Sequence, residues 1–236
     1  FHLWVIEAPK EVAKEFPADK AGLHVLFVPS EEPYHKRKVT LLNGPHTVLS
    51  PVAFLSGVNI VRDACNHEVI SKYIHKVQFD ELMQTLDLPM EELEKFAADV
   101  LERFDNPYVD HQVTSIMLNS FPKFQARDLP GVKTFLERKG ELPKGLVFGL
   151  AAIITYYKGG KREDGAEIVP NDDQKIMDLL KELWATGDTQ KVADGVLGAE
   201  FIWAEDLNKI PGLNAMVKQF LDIIQDKGML EAVKTI

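Results

Sequence analysis

The sequence predicts a mainly α-helical domain that carries a short β-containing segment at its N-terminus. Three observations lead there. Apolar residues recur at helical spacing, with polar intervals, along most of the chain beyond residue 65. Strand-like apolar runs, by contrast, are confined to 3–6 and 23–28. A chain of 236 residues with 45% hydrophobic content can also bury a sizeable core.

In chain order, the two predicted strands are separated by turn formers, Pro9, Pro17 and Gly22. Residue 1 is Phe rather than a start Met, and 1–6 already reads as a buried strand, so the natural chain is expected to extend further upstream. Helical periodicity marks 66–86, 90–104, 111–121, 132–138, 146–158, 172–186 and 213–233. Their ends carry stop and start chemistry: Pro89 before Met90, Asn106-Pro107 after Phe104, Gly159-Gly160 after Lys158, and Asp172 as a candidate N-cap. Residues 159–171 read as a polar loop too short to divide the chain into separate cores. The expected division is therefore a β-containing segment at 1–35, a remnant that leans on an upstream domain, and a helical domain at 36–236.

Composition narrows the function. A net charge of -9 without a basic face argues against nucleic acid, and an anionic substrate would need a local basic pocket. The longest apolar stretches, such as 146–157, are too short for a bilayer and no basic leader opens the chain, so neither membrane nor secretion is indicated and a cytoplasmic protein is expected. The lone Cys65 allows no internal disulfide and reads as core filler. His67 and His75 have no metal-ligand spacing and His111 reads as a capping or packing residue, so no metal site is expected. Tyr156, Tyr157, Trp184, Phe201 and Trp203 read as core. Gly159-Gly160-Lys161 lacks the spacing of a phosphate loop, and no G-x-G-x-x-G occurs, so a nucleotide cofactor would be held mainly elsewhere.

The stretch with most chemistry is 36–47, where Lys38, Asn43 and His46 interrupt an apolar element. On a regular helix Asn43 lies about 140° and His46 about 80° around from Lys38, within one broad face. Gly44 and Pro45 predict a kink there, and Pro51 threatens a second. Oxidising an alcohol by hydride transfer needs a base for the hydroxyl proton and donors for alkoxide charge, tasks that Lys, Asn and His can share. Lys38 would need tuning by burial and by the neighbouring cations Lys36 and Arg37. Read from spacing alone, the trio is more often a solvated lysine, a capping Asn and a satisfied histidine.

Lys38, Asn43 and His46 fit the K-x4-N-x2-H pattern of the long-chain mannitol dehydrogenase family, which the chain resembles. The words at 1–7, 42–47, 51–57, 203–207 and 210–213 resemble most closely its tagaturonate reductase (altronate oxidoreductase) branch, so the likeness runs nearly the whole chain. The resemblance implies a helical C-terminal domain like that of 6-phosphogluconate dehydrogenase, preceded by the protein's own N-terminal Rossmann domain that binds NAD. It implies Lys38 as general acid/base, Asn43 as part of an oxyanion-stabilising pair, His46 as a donor that positions the sugar-acid substrate, and Lys123 as a second substrate contact. The family's Arg eight residues before that lysine is Ser115 here, and Pro122 is atypical, which weakens the match at Lys123. Arg127 nearby reads either as a carboxylate holder or, more often, as an exposed ion-paired residue. The expected reaction interconverts altronate and tagaturonate. Mannonate/fructuronate or mannitol/fructose chemistry is the enzymatic alternative, and a non-catalytic helical interaction module is the alternative outside enzymes.

Overall fold

The computed structural model describes residues 3–236. The outermost part of the 1–6 strand reading, residues 1 and 2, lies outside them. Strands β1 (Trp4–Glu7) and β2 (Val25–Val28) pair in parallel, Trp4 opposite Val25 and Glu7 opposite Val28. A parallel pair needs a crossover; here it is the short helix α1 (Val12–Glu15) and a 3-10 turn, Ala18–Ala21. Trp4, Phe16 and Leu23 stay substantially exposed on this unit, with the Trp4 and Phe16 rings edge to face at 5.6 Å.

The remainder is helical, as expected. Helices α2 (Glu32–Lys38) and α3 (Gly44–Leu55) are joined without a loop by a π turn, Val39–Asn43. Helix therefore begins at Glu32, ahead of the expected start at 36. Pro45, expected to kink the helix, is instead absorbed by this wider turn. In α-helical register its missing N–H would leave the Leu41 carbonyl unpaired; the buried Gln78 amide donates to that oxygen at 2.8 Å. Gln78 sits in a second π turn, Lys76–Leu82, which follows α4 (Val61–Asn66) and α5 (Glu68–His75) and runs into a 3-10 turn at Met83–Thr85.

Helix α6 (Met90–Phe104) spans the expected residues, with Leu93, Phe96, Ala97, Val100 and Phe104 forming one buried stripe and Glu91 and Glu92 at its electropositive first turn. The predicted helix at 111–121 is broken: α7 (Val113–Ile116) stops, Asn119 takes a left-handed φ of 53°, and α8 (Ser120–Arg127) starts afresh, followed by α9 (Leu129–Lys139). Helix α10 (Lys144–Tyr156) is buried from Gly145 to Tyr156 on all sides, marking it as the centre of the core. It packs against α3 and α14 (Leu213–Lys227). Where α3 and α10 meet, a Cβ on Gly149 would stand 2.4 Å from Val48 Cβ, so only glycine permits the approach.

The 159–171 loop contains a small hairpin, β3 (Gly160–Lys161) with β4 (Glu167–Ile168). Helix α11 (Gln174–Ala185) is capped by Asp173, not by Asp172, whose carboxylate is taken by Tyr157 and the Asp173 amide. Helices α12 (Thr189–Leu197) and α13 (Glu200–Trp203) fill a stretch that the periodicity left unassigned. The predicted 213–233 helix divides at Gly228, φ 78°, into α14 and α15 (Met229–Val233). Tyr156, Tyr157 and Trp203 are buried and Trp184 half-buried; Phe201 departs from its core reading and is 59% exposed. Among the described residues, no helix is long and apolar enough to cross a membrane.

Candidate active site

The helix α2–π–α3 positions the predicted trio, and the π turn changes which faces align. At about 4.4 residues per turn, five π residues advance roughly 410° rather than 500°. Lys38 then lies within roughly 50° of Asn43 and roughly 10° of His46 around the axis, a tighter alignment than a regular helix gives at this spacing.

Asn43 does not cap α3, and its Oδ1 is buried without a hydrogen-bond partner. His46 stacks on Phe104 at 3.8 Å and 14° and meets His111 edge-on at 5.5 Å, yet its Nε2 is also buried and unpartnered. Buried polar groups are rarely left so. The two lie three residues apart on one helical rod, and both residues are only half-buried as wholes. The ordinary alternative of a capping Asn and a satisfied His does not hold here. Burial first, then the charges of His111, Arg127 and Arg103, push His46 down to about 3, which makes the ring neutral at physiological pH. A neutral ring carries one N–H donor and one acceptor.

Lys38 is exposed rather than buried. It borders a hollow of about 480 Å³ between β1, α2 and α6, whose other walls include Val5, Leu42, Phe96 and Arg103. Arg103 links the two regions, since it borders this hollow and its charge bears on His46. The expected help from neighbouring cations changes form. Arg37 is buried over Phe96 (4.4 Å) and Tyr34 (5.3 Å) and lies 3.9 Å from Glu92, so its charge is engaged on the core side.

Lys123 is half-buried on α8, its Nζ donating to the Ile116 carbonyl at 2.7 Å, and burial next to Arg127 lowers its pKa while Asp172 opposes the shift. It is not a solvated helix-end lysine. The turn before it is fixed by Tyr157, whose hydroxyl accepts from the Ser120 amide (3.1 Å) and donates to Asp172 Oδ2 (2.5 Å). Ser115, at the place of the family's arginine, is exposed and its hydroxyl returns to the Gln112 carbonyl. Arg127 departs from its exposed, ion-paired reading: it is half-buried and donates to Thr47 Oγ1 at 3.2 Å.

The other candidates are structural. His67 Nδ1 caps α5 by accepting from the Val69 and Ile70 amides, and His75 stacks on Phe79. His111 is exposed and touches only the edge of His46 among the ring contacts. Burial pushes the Cys65 thiol up to about 12, the opposite of what a nucleophile needs. No grouping of three or more metal-ligating side chains occurs among the described residues. Nor do they fit a dinucleotide: the turns from β1 to α1 and from β2 to α2 carry prolines, and the second opens on Glu31 and Glu32, which would repel a diphosphate.

Comparison with known proteins shows the family. The profile of the mannitol dehydrogenase C-terminal domain matches residues 31–225, and the chain belongs to that family. Over 236 residues it is 82% identical to the altronate oxidoreductase of Bacteroides thetaiotaomicron, covering 100% of this chain and 49% of that protein. It is 40% identical to the altronate oxidoreductase of Bacillus subtilis, covering 99% of this chain and 47% of that one. The chain thus spans about half the length of the curated relatives it matches. In fold it is similar to Pseudomonas fluorescens mannitol 2-dehydrogenase, solved as a ternary complex with NAD and D-mannitol, at TM-score 0.80 and 22% identity over 91% of this chain and 43% of that one. A substrate-free D-sorbitol dehydrogenase gives TM-score 0.76 at 23% identity, covering 92% of this chain and 43% of that one.

Proposed function

We propose that this chain is the catalytic, substrate-binding half of a tagaturonate reductase that interconverts D-altronate and D-tagaturonate by hydride transfer. The observation that carries the reading is the pair of buried, unpartnered polar groups, Asn43 Oδ1 and His46 Nε2, on the helix that also bears Lys38. A sugar ring or chain rich in hydroxyls supplies the partners those groups lack. The choice of substrate is supported by the similarity to proteins named altronate oxidoreductases.

In the reductive direction the Lys38 ammonium protonates the oxygen that gains charge, and in oxidation its amine takes the hydroxyl proton. Exposure of Lys38 in the hollow suits a group that exchanges its proton with water between turnovers. The Asn43 amide donates to the developing alkoxide and disperses its charge. Neutral His46, held flat by Phe104, orients a neighbouring hydroxyl and takes no part in proton transfer. Lys123 contacts the far end of the substrate.

NAD, when bound to the complete protein, would supply or accept the hydride. Because the residues here do not fit a dinucleotide, we assign NAD to an N-terminal Rossmann domain of the same protein. Residues 1–35 join that domain and 36–236 form the catalytic one, a division supported by the exposed Trp4, Phe16 and Leu23 on the β1–β2 unit. The free, half-buried Cys65 suits a cytoplasmic setting.

The test uses the complete protein with NAD. Lys38→Ala should remove altronate oxidation by several orders of magnitude, and His46→Ala should raise KM more than it lowers kcat. Turnover unchanged in Lys38→Ala would reject the assignment. Parallel assays on mannonate and mannitol decide between this substrate and its neighbours.

A further inference from the structure

We propose that Arg127 is the specificity residue of the site, binding the carboxylate of the sugar acid and so separating acid substrates from neutral polyols. The proposal rests on the catalytic reading above and names which end of the ligand α8 holds.

Four observations meet at this residue. Arg127 is tied to the catalytic helix: its Nη1 donates to Thr47 Oγ1 at 3.2 Å, and Thr47 Oγ1 donates to the Asn43 carbonyl at 2.9 Å, one turn back. The guanidinium is thereby tied to Thr47, the residue after His46, and its charge bears on the His46 ring. Second, Arg127 lies four residues beyond Lys123 on α8, so two half-buried cations share one helix face. Like charges at that spacing repel, and both are partly desolvated.

Third, neither cation has a carboxylate within ion-pair distance among the described residues, although the chain holds 36 acidic groups against 27 Lys and Arg. The adjacent Asp128 does not fill the gap. Its carboxyl is fully buried, neither oxygen has a hydrogen-bond partner, it makes no ion pair with Arg127 within 4 Å among the described residues, and burial pushes its pKa up despite Arg127. Fourth, there is room: Arg127 borders a cleft of about 310 Å³ whose walls also carry His35, Lys36 and Thr40, with Glu32 as its one acid. A planar guanidinium without an ion-pair partner, beside open space whose wall also carries Lys36, is suited to receive a carboxylate.

The experiment measures kcat and KM of the complete protein with NAD on altronate, on mannonate and on the neutral six-carbon polyol of altronate's configuration. Wild type should favour the acids. In Arg127→Gln, KM for the acid it uses should rise roughly 10- to 150-fold, the range for a lost hydrogen bond to a charged group, while the polyol, which loses only the tie from Arg127 to Thr47, should suffer a clearly smaller loss in kcat/KM. Arg127→Lys, which keeps the charge and loses the fork, should recover some of the acid KM. Equal losses on acid and polyol, or no change in their ratio, would overturn the proposal, as would a wild-type protein that uses only the polyol. A protein that prefers mannonate to altronate refutes the assigned substrate and leaves Arg127 to be judged on mannonate. Should Arg127→Gln fail to fold, the acid-to-polyol ratio in Arg127→Lys decides.

Discussion

The contact between α3 and α10 offers a test in which two known effects oppose each other. Gly149→Ala exchanges a glycine for alanine inside a helix, a change that by propensity alone stabilises by about 1 kcal/mol. The new Cβ, however, would sit 2.4 Å from Val48 Cβ, 2.5 Å from Val48 Cγ1 and 2.8 Å from the Tyr73 hydroxyl. Carbon contacts relax at about 3.5–4.0 Å, so α3 and α10 must separate by roughly 1 Å or both must shift. Neither neighbour can swing aside, because Val48 and Tyr73 are 0% and 3% exposed and Val48's clashing atoms stand at its backbone end. Overpacking of this kind costs about 1–3 kcal/mol, and a rigid neighbour puts it at the upper end. The net expectation is a loss of about 2 kcal/mol, or roughly 4–8 °C in Tm for a chain of this size. Differential scanning calorimetry measures it. Because α3 carries His46 and follows directly on Asn43, activity of the complete protein should fall as well. A Val48→Gly/Gly149→Ala pair should show favourable coupling of at least about 1 kcal/mol, since it moves the Cβ across the same interface. An unchanged or raised Tm in Gly149→Ala would refute the close approach.

Three further outcomes are expected. Glu81 and His46 should give opposing pH slopes: His46, with its folded value near 3, loses stability as pH falls below 6.5, while Glu81, pushed up to about 7 chiefly by burial, loses stability as pH rises from 4.5. Asp128, also raised by burial, acts in the same direction as Glu81, so Glu81→Gln should turn the slope of stability against pH upward by up to about 1.4 kcal/mol per pH unit between pH 4.5 and 6.5, read by urea unfolding against the parent protein. Tyr157→Phe leaves the first amide of α8 buried without an acceptor and should cost about 1–3 kcal/mol, visible as a lowered urea midpoint and a raised KM through Lys123. Gly44→Ala would place a Cβ 2.8 Å from Asp128 Oδ1 and 3.1 Å from Leu82, and should lower both Tm and kcat by separating the π turn from α9.

Much of this fold was legible, and the failures share a cause. Helix α6 was readable to the residue because Pro89, an acidic first turn and a regular apolar stripe all agree. The passage through Gly44 and Pro45 was not, since the group that satisfies the Leu41 carbonyl is Gln78, 37 residues away. The break at Asn119 was hidden for a related reason: asparagine tolerates a left-handed φ without requiring it, and here the Asn171 carbonyl and the Tyr157 hydroxyl hold the turn from a distance. Gly228 was visible as a glycine, yet only the positive φ makes it a break. In the site, residue types singled out Lys38, Asn43 and His46 and the family resemblance added Lys123, whereas the burial of Asn43 and His46, the exposure of Lys38 and the tie from Arg127 to Thr47 arise from packing between distant helices. A sequence signal for Arg127 exists in its four-residue step from Lys123.

The π turn at 39–43 also makes the segment unequal in its response to changes of length. It holds one residue more than a regular turn would while leaving the helices on either side in phase. Removing one residue from 39–42 would let the rod close into continuous α-helix, with Lys38 still within roughly 40° of the present Asn43 and 20° of the present His46. That closure also brings the ring of Pro45 against a carbonyl one α-turn back, so the shortened rod would need the proline replaced. Adding a residue has no comparable outlet. The extra step would swing Lys38 by roughly 100° away from the other two, in a protein whose helix content and core are largely kept. Insertion here would therefore yield a folded protein with Lys38 turned away from Asn43 and His46, whereas deletion paired with loss of Pro45 would keep the three on one face.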